Sequence, residues 1–436
     1  MFRALTRFSV RLVERYLPDP YIFVILLTLI AAAAAMGIQQ QNPMDVVLMW
    51  GNGFWGLLTF AMQMVLVLVT GYMLALTPAV RRILAAIATR AHTASQAIII
   101  VTLVALVASW INWGFGLVVG AIFAREVARR VKVDYRLLIA SAYSGFLVWH
   151  GGLAGSVPLT IATEGHFTAD KIGVISTSQT IFAFFNLALV IVMFIAVPLV
   201  NRLMMPRAEE SVYVDPKLLE EEASEQAPVE TPADRLEQSI ILTGLIGIGG
   251  LAYLFHYYVI QRGGINLNVV NFTFLFLSII LHGRPRNLLN ALEEAIKGTG
   301  GIVLQFPFYA GIMAIMIDSG LAATISAWLT SFATATTLPF WTFLSAGLVN
   351  IFVPSGGGQW AVQAPVVIEA TQALGADMAR TAMAVAWGDA WTNMIQPFWA
   401  LPALAIAGLR AKDIMGYCLI QLIVSGVLIS IGLTFF

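Results

Sequence analysis

Apolar residues in this chain form long continuous runs. Several runs come close to the roughly 20 residues that a helix needs to cross a bilayer; they are 21–37, 54–76, 180–203, 239–258 and 414–436. A transmembrane β-barrel would show alternating apolar and polar residues instead. The pattern therefore predicts an all-α polytopic membrane protein.

Two apolar regions carry polar residues and glycines in their middle, and the two breaks match. The first is Asn112-Trp113-Gly114-Phe115-Gly116, and the second is Pro354-Ser355-Gly356-Gly357-Gly358-Gln359, just after Asn350. Trp149 follows Asn112 by 37 residues, and Trp387 follows Asn350 by the same number. Broken segments at corresponding positions of two halves indicate the binding site of a secondary transporter.

The positions of the Lys and Arg residues indicate in which direction each apolar run crosses the membrane. We place the N-terminus in the cytoplasm and treat 94–124 and 340–368 as re-entrant hairpins. All of the 24 Lys and Arg residues then lie on the cytoplasmic side except Lys171, Arg262 and Arg380, as the positive-inside rule favours. One half then begins inside and the other outside, so the two halves are predicted to be inverted repeats.

The chain thus divides into five parts. They are an amphipathic surface helix at 1–17, a first inverted repeat at 18–205, a cytoplasmic linker at 206–237, a connecting transmembrane helix at 238–258 and a second inverted repeat at 259–436. Arginines four residues apart among apolar residues are typical of a surface helix. Each repeat is expected to contain a re-entrant hairpin and a broken transmembrane helix.

Glycines at the hairpin breaks have two interpretations. Gly114 and Gly116 would permit a tight tip, at which helix N-termini can direct N–H groups towards an anion. Glycines also allow close packing of membrane helices. We expect Gly356–Gly358 to form a binding tip, because as packing residues they would only weaken a helix by about 1 kcal/mol each.

Broken helices are expected after both hairpins, at Gly151–Pro158 and at Gly388–Pro397. Asp389 lies in the middle of an apolar segment, where a carboxylate is costly and marks function. It is our candidate for the coupling ion, either H⁺ or Na⁺, and the structural alternative is that it caps unwound backbone. His150, at the matching place in the first half, is a weaker candidate.

The candidate substrate-binding residues lie at these four breaks. They are Asn112, Trp113, Gly114, Gly116, Gly152, Ser156, Ser355, Gly356, Gly357, Gln359, Trp391 and Asn393. The hydroxyl and amide groups among them are donors without net charge. One or two tryptophans could wall an apolar pocket that suits a short alkyl chain.

Composition and missing motifs narrow the function. The 436 residues are 59% hydrophobic and carry no net charge, so no nucleic-acid partner is implied. The phosphate-loop motif G-x-x-x-x-G-K-[ST] does not occur, so ATP is not expected to drive the protein directly. The histidines show no metal-ligand spacing, and we expect neither a metal site nor a cofactor.

Longer motifs resemble those of the bacterial short-chain fatty acid transporter family, associated with acetoacetate and butyrate uptake. They are Leu17-Pro18-Asp19-Pro20, Trp50-Gly51-Asn52-Gly53-Phe54-Trp55, Ile111-Asn112-Trp113-Gly114-Phe115-Gly116, Phe123-Ala124-Arg125-Glu126-Val127-Ala128-Arg129-Arg130, Gln305-Phe306-Pro307-Phe308-Tyr309-Ala310-Gly311, Val353-Pro354-Ser355-Gly356-Gly357-Gly358 and Gln396-Pro397-Phe398-Trp399-Ala400-Leu401-Pro402. The resemblance implies a place in the ion transporter superfamily, with inverted repeats, paired hairpins, an elevator-like motion and a homodimer. His150 departs from the family pattern, in which glycine is common.

The sequence therefore predicts a secondary active transporter in the bacterial inner membrane that imports a small monocarboxylate with H⁺ or Na⁺. The carboxylate follows from the resemblance, whereas the residues alone indicate a small anionic solute. A passive channel is one alternative. A membrane-embedded enzyme using Ser156, Ser355, His150 and Asp389 is another, although no known catalytic spacing links these residues.

Overall fold

Helices make up every regular element that the computed structural model describes, which confirms the all-α expectation. The described residues are 20–207, 209–215, 219, 231–351, 353–395 and 399–435. Seven helical stretches within them are long and apolar enough to cross a membrane. The expected surface helix at 1–17, residues 220–230 of the linker and Gln396-Pro397 lie outside the described residues.

The first half contains ten α-helices. They are α1 (Pro20–Gly37), α2 (Pro43–Gly53), α3 (Leu58–Ala75), α4 (Pro78–Ala88), α5 (Ala94–Ile111), α6 (Trp113–Ala128), α7 (Tyr135–Ser144), α8 (Ser156–Ile161), α9 (Ala169–Ile172) and α10 (Phe184–Leu203). A 3₁₀ helix, Gly145–Gly151, continues α7.

The linker, the connecting helix and the second half contain the remaining α-helices of the described ranges. They are α11 (Pro232–Glu237), α12 (Ile240–Phe255), α13 (Leu267–His282), α14 (Pro285–Ile296), α15 (Gly300–Asp318), α16 (Leu321–Thr330), α17 (Leu338–Asn350), α18 (Gly356–Leu374), α19 (Met378–Thr392), α20 (Ala400–Ala407) and α21 (Ala411–Phe435).

The first hairpin is formed by α5 and α6, which turn back on each other at Asn112. The Asn112 side chain accepts the N–H of Phe115 at 2.9 Å and so caps α6. Ser109 and Gly116 lie at nearly equal distances from the turn, and a Cβ on Gly116 would lie 2.6 Å from the Ser109 nitrogen. The two helices are therefore antiparallel and closely packed, as a re-entrant hairpin requires.

Glycines do not form the tip of this hairpin, and that expectation was wrong. Gly114 and Gly116 lie inside α6. A Cβ on Gly114 would lie 2.8 Å from the Leu68 carbonyl of α3, and one on Gly116 would overlap Ser109. Both glycines therefore let neighbouring helices approach α6, whereas Asn112 alone makes the turn.

The second hairpin is formed by α17 and α18, with its tip between Asn350 and Gly356. Ser355 caps α18 by accepting the N–H of Gly358 at 3.4 Å. Across the hairpin, Gln359 Nε2 donates to the Ala346 carbonyl at 2.8 Å. This tip is longer than that of the first hairpin, and its described residues lie outside α17 and α18.

The two broken helices differ from each other. In the first, α7 and its 3₁₀ extension stop at Gly151 and α8 starts at Ser156, as expected. In the second, α19 runs unbroken through Gly388 and Asp389 to Thr392, so the expected break at Gly388 was wrong. Gly388 instead admits α17, because a Cβ there would lie 2.5 Å from the Phe343 carbonyl.

Several helix contacts between the halves occur in reciprocal pairs. Helix α1 packs on α15 and α13 packs on α3, while α2 packs on α15 and α14 packs on α3. Helix α8 contacts α18 and α20 contacts α6, while α10 and α21 contact each other. Exchanging α1 with α13, α2 with α14, α3 with α15, α6 with α18 and α8 with α20 converts each of the first six contacts into another of the six.

Helix ends that we expect on the same side of the membrane form hydrogen bonds with each other. The Tyr135 hydroxyl, on the expected cytoplasmic side, donates to the Ala407 carbonyl at 3.0 Å. On the expected outer side, the Leu267 N–H donates to Thr163 Oγ1 at 3.1 Å. The charge-based threading is therefore consistent with the fold.

Part of the linker is docked on the turn between α6 and α7. The Val212 N–H donates to Asp134 Oδ2 at 2.7 Å, and the Tyr135 N–H donates to the Val212 carbonyl at 2.8 Å. The Lys132 ammonium lies 4.6 Å from the centre of the Tyr213 ring. The linker thus joins the base of the first hairpin to the start of the broken helix.

Replacing Gly116 by Ala should lower the melting temperature of the detergent-solubilised protein. The new Cβ would meet Ser109 backbone atoms, and overpacking of this kind costs about 1–3 kcal/mol. Gly249→Ala is the control, because Gly249 lies in α12 with no atom near its Cβ position. Equal melting temperatures for the two variants would contradict the close contact between α5 and α6.

Candidate substrate-binding site

His150 bridges the two broken helices. Its Nδ1 lies 3.0 Å from Asp389 Oδ2, and its Nε2 accepts the Val157 N–H of α8 at 3.0 Å. A ring nitrogen that accepts an N–H carries no proton itself. His150 is therefore a neutral imidazole that donates from Nδ1 to Asp389, and both side chains are completely buried.

Asp389 does not cap unwound backbone, so the structural alternative for this residue was wrong. Its Oδ2 accepts from a side chain 239 residues away, and its Oδ1 has no hydrogen-bond partner within the described residues. An unsatisfied buried acceptor costs about 1–3 kcal/mol. The Oδ1 atom is therefore a position at which a proton or a cation would be stabilising.

A buried amide bonds to the Asp389 backbone. Asn350 Nδ2 donates to the Asp389 carbonyl at 2.9 Å and to Thr392 Oγ1 at 3.0 Å. The oxygens Asn350 Oδ1 and Gln359 Oε1 are buried without a partner in the described part of the chain. Helices α17, α18 and α19 thus each contain, or end at, a buried acceptor oxygen that is left unsatisfied.

The break after α19 is held by residues of the first half. The Tyr143 hydroxyl donates to the Asn393 carbonyl at 2.7 Å, and Trp149 Nε1 donates to Asn393 Oδ1 at 3.0 Å. In the reciprocal contact, Trp387 Nε1 donates to Asn186 Oδ1 at 2.9 Å. Each tryptophan therefore bonds to an asparagine of the other half.

Gly356–Gly358 form the first turn of α18, and each glycine allows a ring to approach the helix. In chain order, a Cβ on these residues would meet the rings of His150, Phe60 and Tyr309. The expectation that these glycines contribute nothing to packing was wrong. The rings come from residues distant in the sequence, so the sequence gives no sign of these contacts.

A small closed cavity lies between the two halves. Its volume is about 10 Å³, which is close to the smallest space that holds one water. The polar residues that line it are Ser156, Ser355 and Gly356, and the apolar ones are Met64, Trp113, Phe146, Trp149, Ile302 and Trp399. Apart from its polar edge, this cavity is walled mainly by aromatic rings.

Four of the predicted binding residues line this cavity, namely Trp113, Ser156, Ser355 and Gly356. The side chain of Asn112 is instead used for the α6 cap and lies 3.4 Å from the Val67 carbonyl. The two tips therefore contribute Trp113 and Ser355 to the shared cavity.

The remaining predicted residues have other contacts. Gly114, Gly116 and Gly357 lie at helix contacts, and Gln359 and Asn393 have the bonds described above. Gly152 lies against the Trp110 carbonyl, which accepts the Leu153 N–H at 2.7 Å. Trp391 Nε1 donates to the Leu422 carbonyl at 2.7 Å and so fixes α19 to α21.

Two residues of the cavity wall, Phe146 and Trp399, are not among the predicted binding residues. Trp399 belongs to one of the motifs quoted above, and its position just after a break could have identified it. Phe146 lies in an ordinary apolar stretch, and only its stacking on Trp149, with ring centres 5.4 Å apart, reveals its place in the cavity wall.

The sequence matches the model of one protein family, the short chain fatty acid transporters, over residues 1–436. The chain belongs to this family.

Two relatives in the short chain fatty acid transporter family match along their whole lengths. A protein of Escherichia coli (strain K12) is 49% identical over 440 residues, with 100% of both chains covered. A protein of Haemophilus influenzae (strain ATCC 51907 / DSM 11121 / KW20 / Rd) is 44% identical over 446 residues, again with 100% of both covered. Both are named, provisionally, as short-chain fatty acid transporters.

Solved structures of two transporters share the fold of this family member. The Alcanivorax borkumensis YdaH transporter, described as having an unusual topology, gives a TM-score of 0.59 at 17% identity over 96% of this chain and 97% of its own. Neisseria gonorrhoeae MtrF, from a class of antimetabolite efflux pumps, gives 0.57 at 18% identity over 98% and 97%. The chain is thus a helical membrane protein with a transporter fold.

Replacing Gly356 by Ala should abolish or strongly reduce uptake of a short-chain acid into cells. The new Cβ would overlap His150 and lie 2.8 Å from Trp149, which would push the tip of the second hairpin away from the cavity. Gly300→Ala is the matched control, since Gly300 also begins a helix, α15, and no atom lies near its Cβ position. Normal uptake by a well-expressed Gly356→Ala protein would show that this contact is dispensable.

Proposed function

We propose that this protein is a secondary active transporter that imports a short-chain monocarboxylate across the bacterial inner membrane. The proposal is based on the cavity between the halves, which has a polar edge and an aromatic wall. Membership of the short chain fatty acid transporter family supports the class of substrate. A small carboxylate with a short apolar tail has the same two-part chemistry as the cavity.

The start of α18 supplies donors for the carboxylate. The first N–H groups of a helix have no acceptor within it; here Ser355 takes those of Gly358 and Gln359. The N–H groups of Gly356 and Gly357 stay available, and the positive end of the helix dipole favours an anion. Trp113 adds an indole N–H that is buried without a partner in the described structure.

These donors suit a transporter because they carry no net charge. The part of the chain that the structure describes contributes no Lys or Arg to the cavity lining. Hydrogen bonds to a charged group contribute about 1.5–3 kcal/mol each, which permits binding without trapping the anion. Reversible release is what a carrier requires.

We also propose that the two halves, 18–205 and 259–436, are inverted repeats linked by the crossing helix at 238–258. The reciprocal helix contacts and the direction of the two hairpins support this arrangement. The hairpins and broken helices would then move together, in an elevator-like motion, against the helices around them. The homodimer and the cytoplasmic N-terminus stay predictions.

Asp389 is the coupling residue in this proposal. Its unpartnered Oδ1 could bind either a proton or Na⁺. His150 would hold the carboxylate in place through Nδ1, while its Nε2 accepts the Val157 N–H.

Purified protein in liposomes tests the function. Labelled butyrate should accumulate when a proton gradient or a Na⁺ gradient is imposed, and unlabelled butyrate inside should accelerate entry of the labelled acid. A channel would show no such acceleration, and an enzyme would return an altered compound. Absence of any acid-dependent uptake would refute the proposal.

Asp389→Asn should abolish accumulation against a gradient while keeping exchange of labelled for unlabelled acid. The amide oxygen can still accept from His150, but the side chain no longer binds a proton or balances a cation. Asp377→Asn is the control, since Asp377 caps the exposed start of the same helix and Asn caps equally well. Full accumulation by the Asp389→Asn protein would exclude the coupling role.

A further inference from the structure

We propose that Trp399 closes the end of the cavity opposite the second hairpin tip and sets the longest alkyl chain that the transporter accepts. This inference rests on the proposed function, because it concerns the same cavity. It assigns a specificity-determining role to a residue in the apolar part of the cavity lining.

The ring contacts give the order of the residues along the cavity. A Cβ on Gly356, at the polar edge, would lie 2.8 Å from Trp149. The Trp149 ring centre lies 5.4 Å from Phe146 and 6.0 Å from Trp113. Trp399 lies beyond this pair, 5.2 Å from Trp113 and 6.3 Å from Phe146.

The polar edge fixes the direction in which an acid enters. The available N–H groups belong to the start of α18, and Ser156 and Ser355 lie in the same lining. A carboxylate placed against these groups directs its tail past Trp149 towards Phe146 and Trp113, whose rings must separate to admit it because the cavity holds about one water in this structure. The terminal methyl group then meets Trp399.

The rings around the tail are packed against one another. Trp149 is stacked on His150, with ring centres 4.0 Å apart, and its Nε1 donates to Asn393 Oδ1. Phe146, Trp113 and Trp399 are all buried, with exposed fractions of 1%, 4% and 8%. Because each ring is held by other rings, an additional methylene group must displace a packed side chain. The longest chains therefore meet Trp399 last, and their binding depends on the size of its side chain.

Competition experiments with acids of increasing length test the proposal. Unlabelled acids from acetate to octanoate compete with labelled butyrate in exchange assays, with equal pH on both sides so that passive diffusion of protonated acid creates no gradient. Trp399→Ala should improve competition by hexanoate relative to butyrate by ~10-fold or more, the usual value of fitting a methylene into a pocket. Trp399→Phe should give a smaller shift in the same direction.

A substitution that fills part of the cavity should weaken competition by long acids instead of improving it. Phe146→Trp narrows the cavity and should weaken the longest acids first. Trp50→Ala is the control, since Trp50 packs against Phe54 and Phe308, away from the cavity lining. Its relative competition profile should equal that of the unchanged protein, even if less protein folds.

Every outcome of these experiments either supports or contradicts the role of Trp399 in limiting chain length. An unchanged length profile in a Trp399 variant that still exchanges butyrate would overturn it. If Trp399→Ala does not fold, Trp399→Phe and Phe146→Trp decide, and unchanged profiles in both overturn it equally. If the unsubstituted protein exchanges no acid, the proposed function fails, which is distinguishable from an unchanged profile.

Discussion

Inside a membrane, the N–H and C=O groups of non-helical backbone have no water with which to form hydrogen bonds. In this structure, side chains take the place of that water. Each unsatisfied N–H or C=O group costs several kcal/mol in the bilayer core. Side chains meet part of this need at three of the described breaks: Asn112 caps α6, His150 accepts from α8, and the Tyr143 hydroxyl donates to Asn393. The breaks are therefore stabilised by contacts that are long in sequence and short in space.

These contacts also join the two halves. His150 of the first half holds Asp389 of the second, and Trp149 and Trp387 each bond to an asparagine across the boundary. The two broken helices are therefore joined by side-chain hydrogen bonds. Asp389 Oδ1 in this network and Trp113 Nε1 in the cavity lining are both buried without a partner in the described structure. Structure and proposed transport thus depend on the same few side chains.

Sequence patterns predicted the architecture well because they reflect the bilayer itself. Apolar run length predicted the helices, and the basic cluster after the first hairpin indicated that α5 and α6 turn back. The polar breaks led to Trp113, Ser156, Ser355 and Gly356, which line the cavity.

Predictions failed where one residue type has two uses. Glycine can open a turn or admit a neighbouring helix, and Gly116, Gly356 and Gly388 all turned out to admit neighbours. The choice depends on Ser109, His150 and Phe343, whose positions the local sequence does not reveal. The neutral state of His150 likewise follows only from its contact with Val157.

We propose that the cavity beside Ser355 holds the carboxylate. A cysteine placed at this position should then be protected from a thiol reagent by the bound acid. The chain's own Cys418 is buried at 1% exposure, and a Ser there removes any background labelling. In a Ser355→Cys protein that still exchanges butyrate, saturating butyrate should slow the reaction of the cysteine with a small thiol reagent, whereas sulfate at equal ionic strength should not. An unchanged reaction rate in the presence of butyrate would show that the carboxylate does not bind beside Ser355.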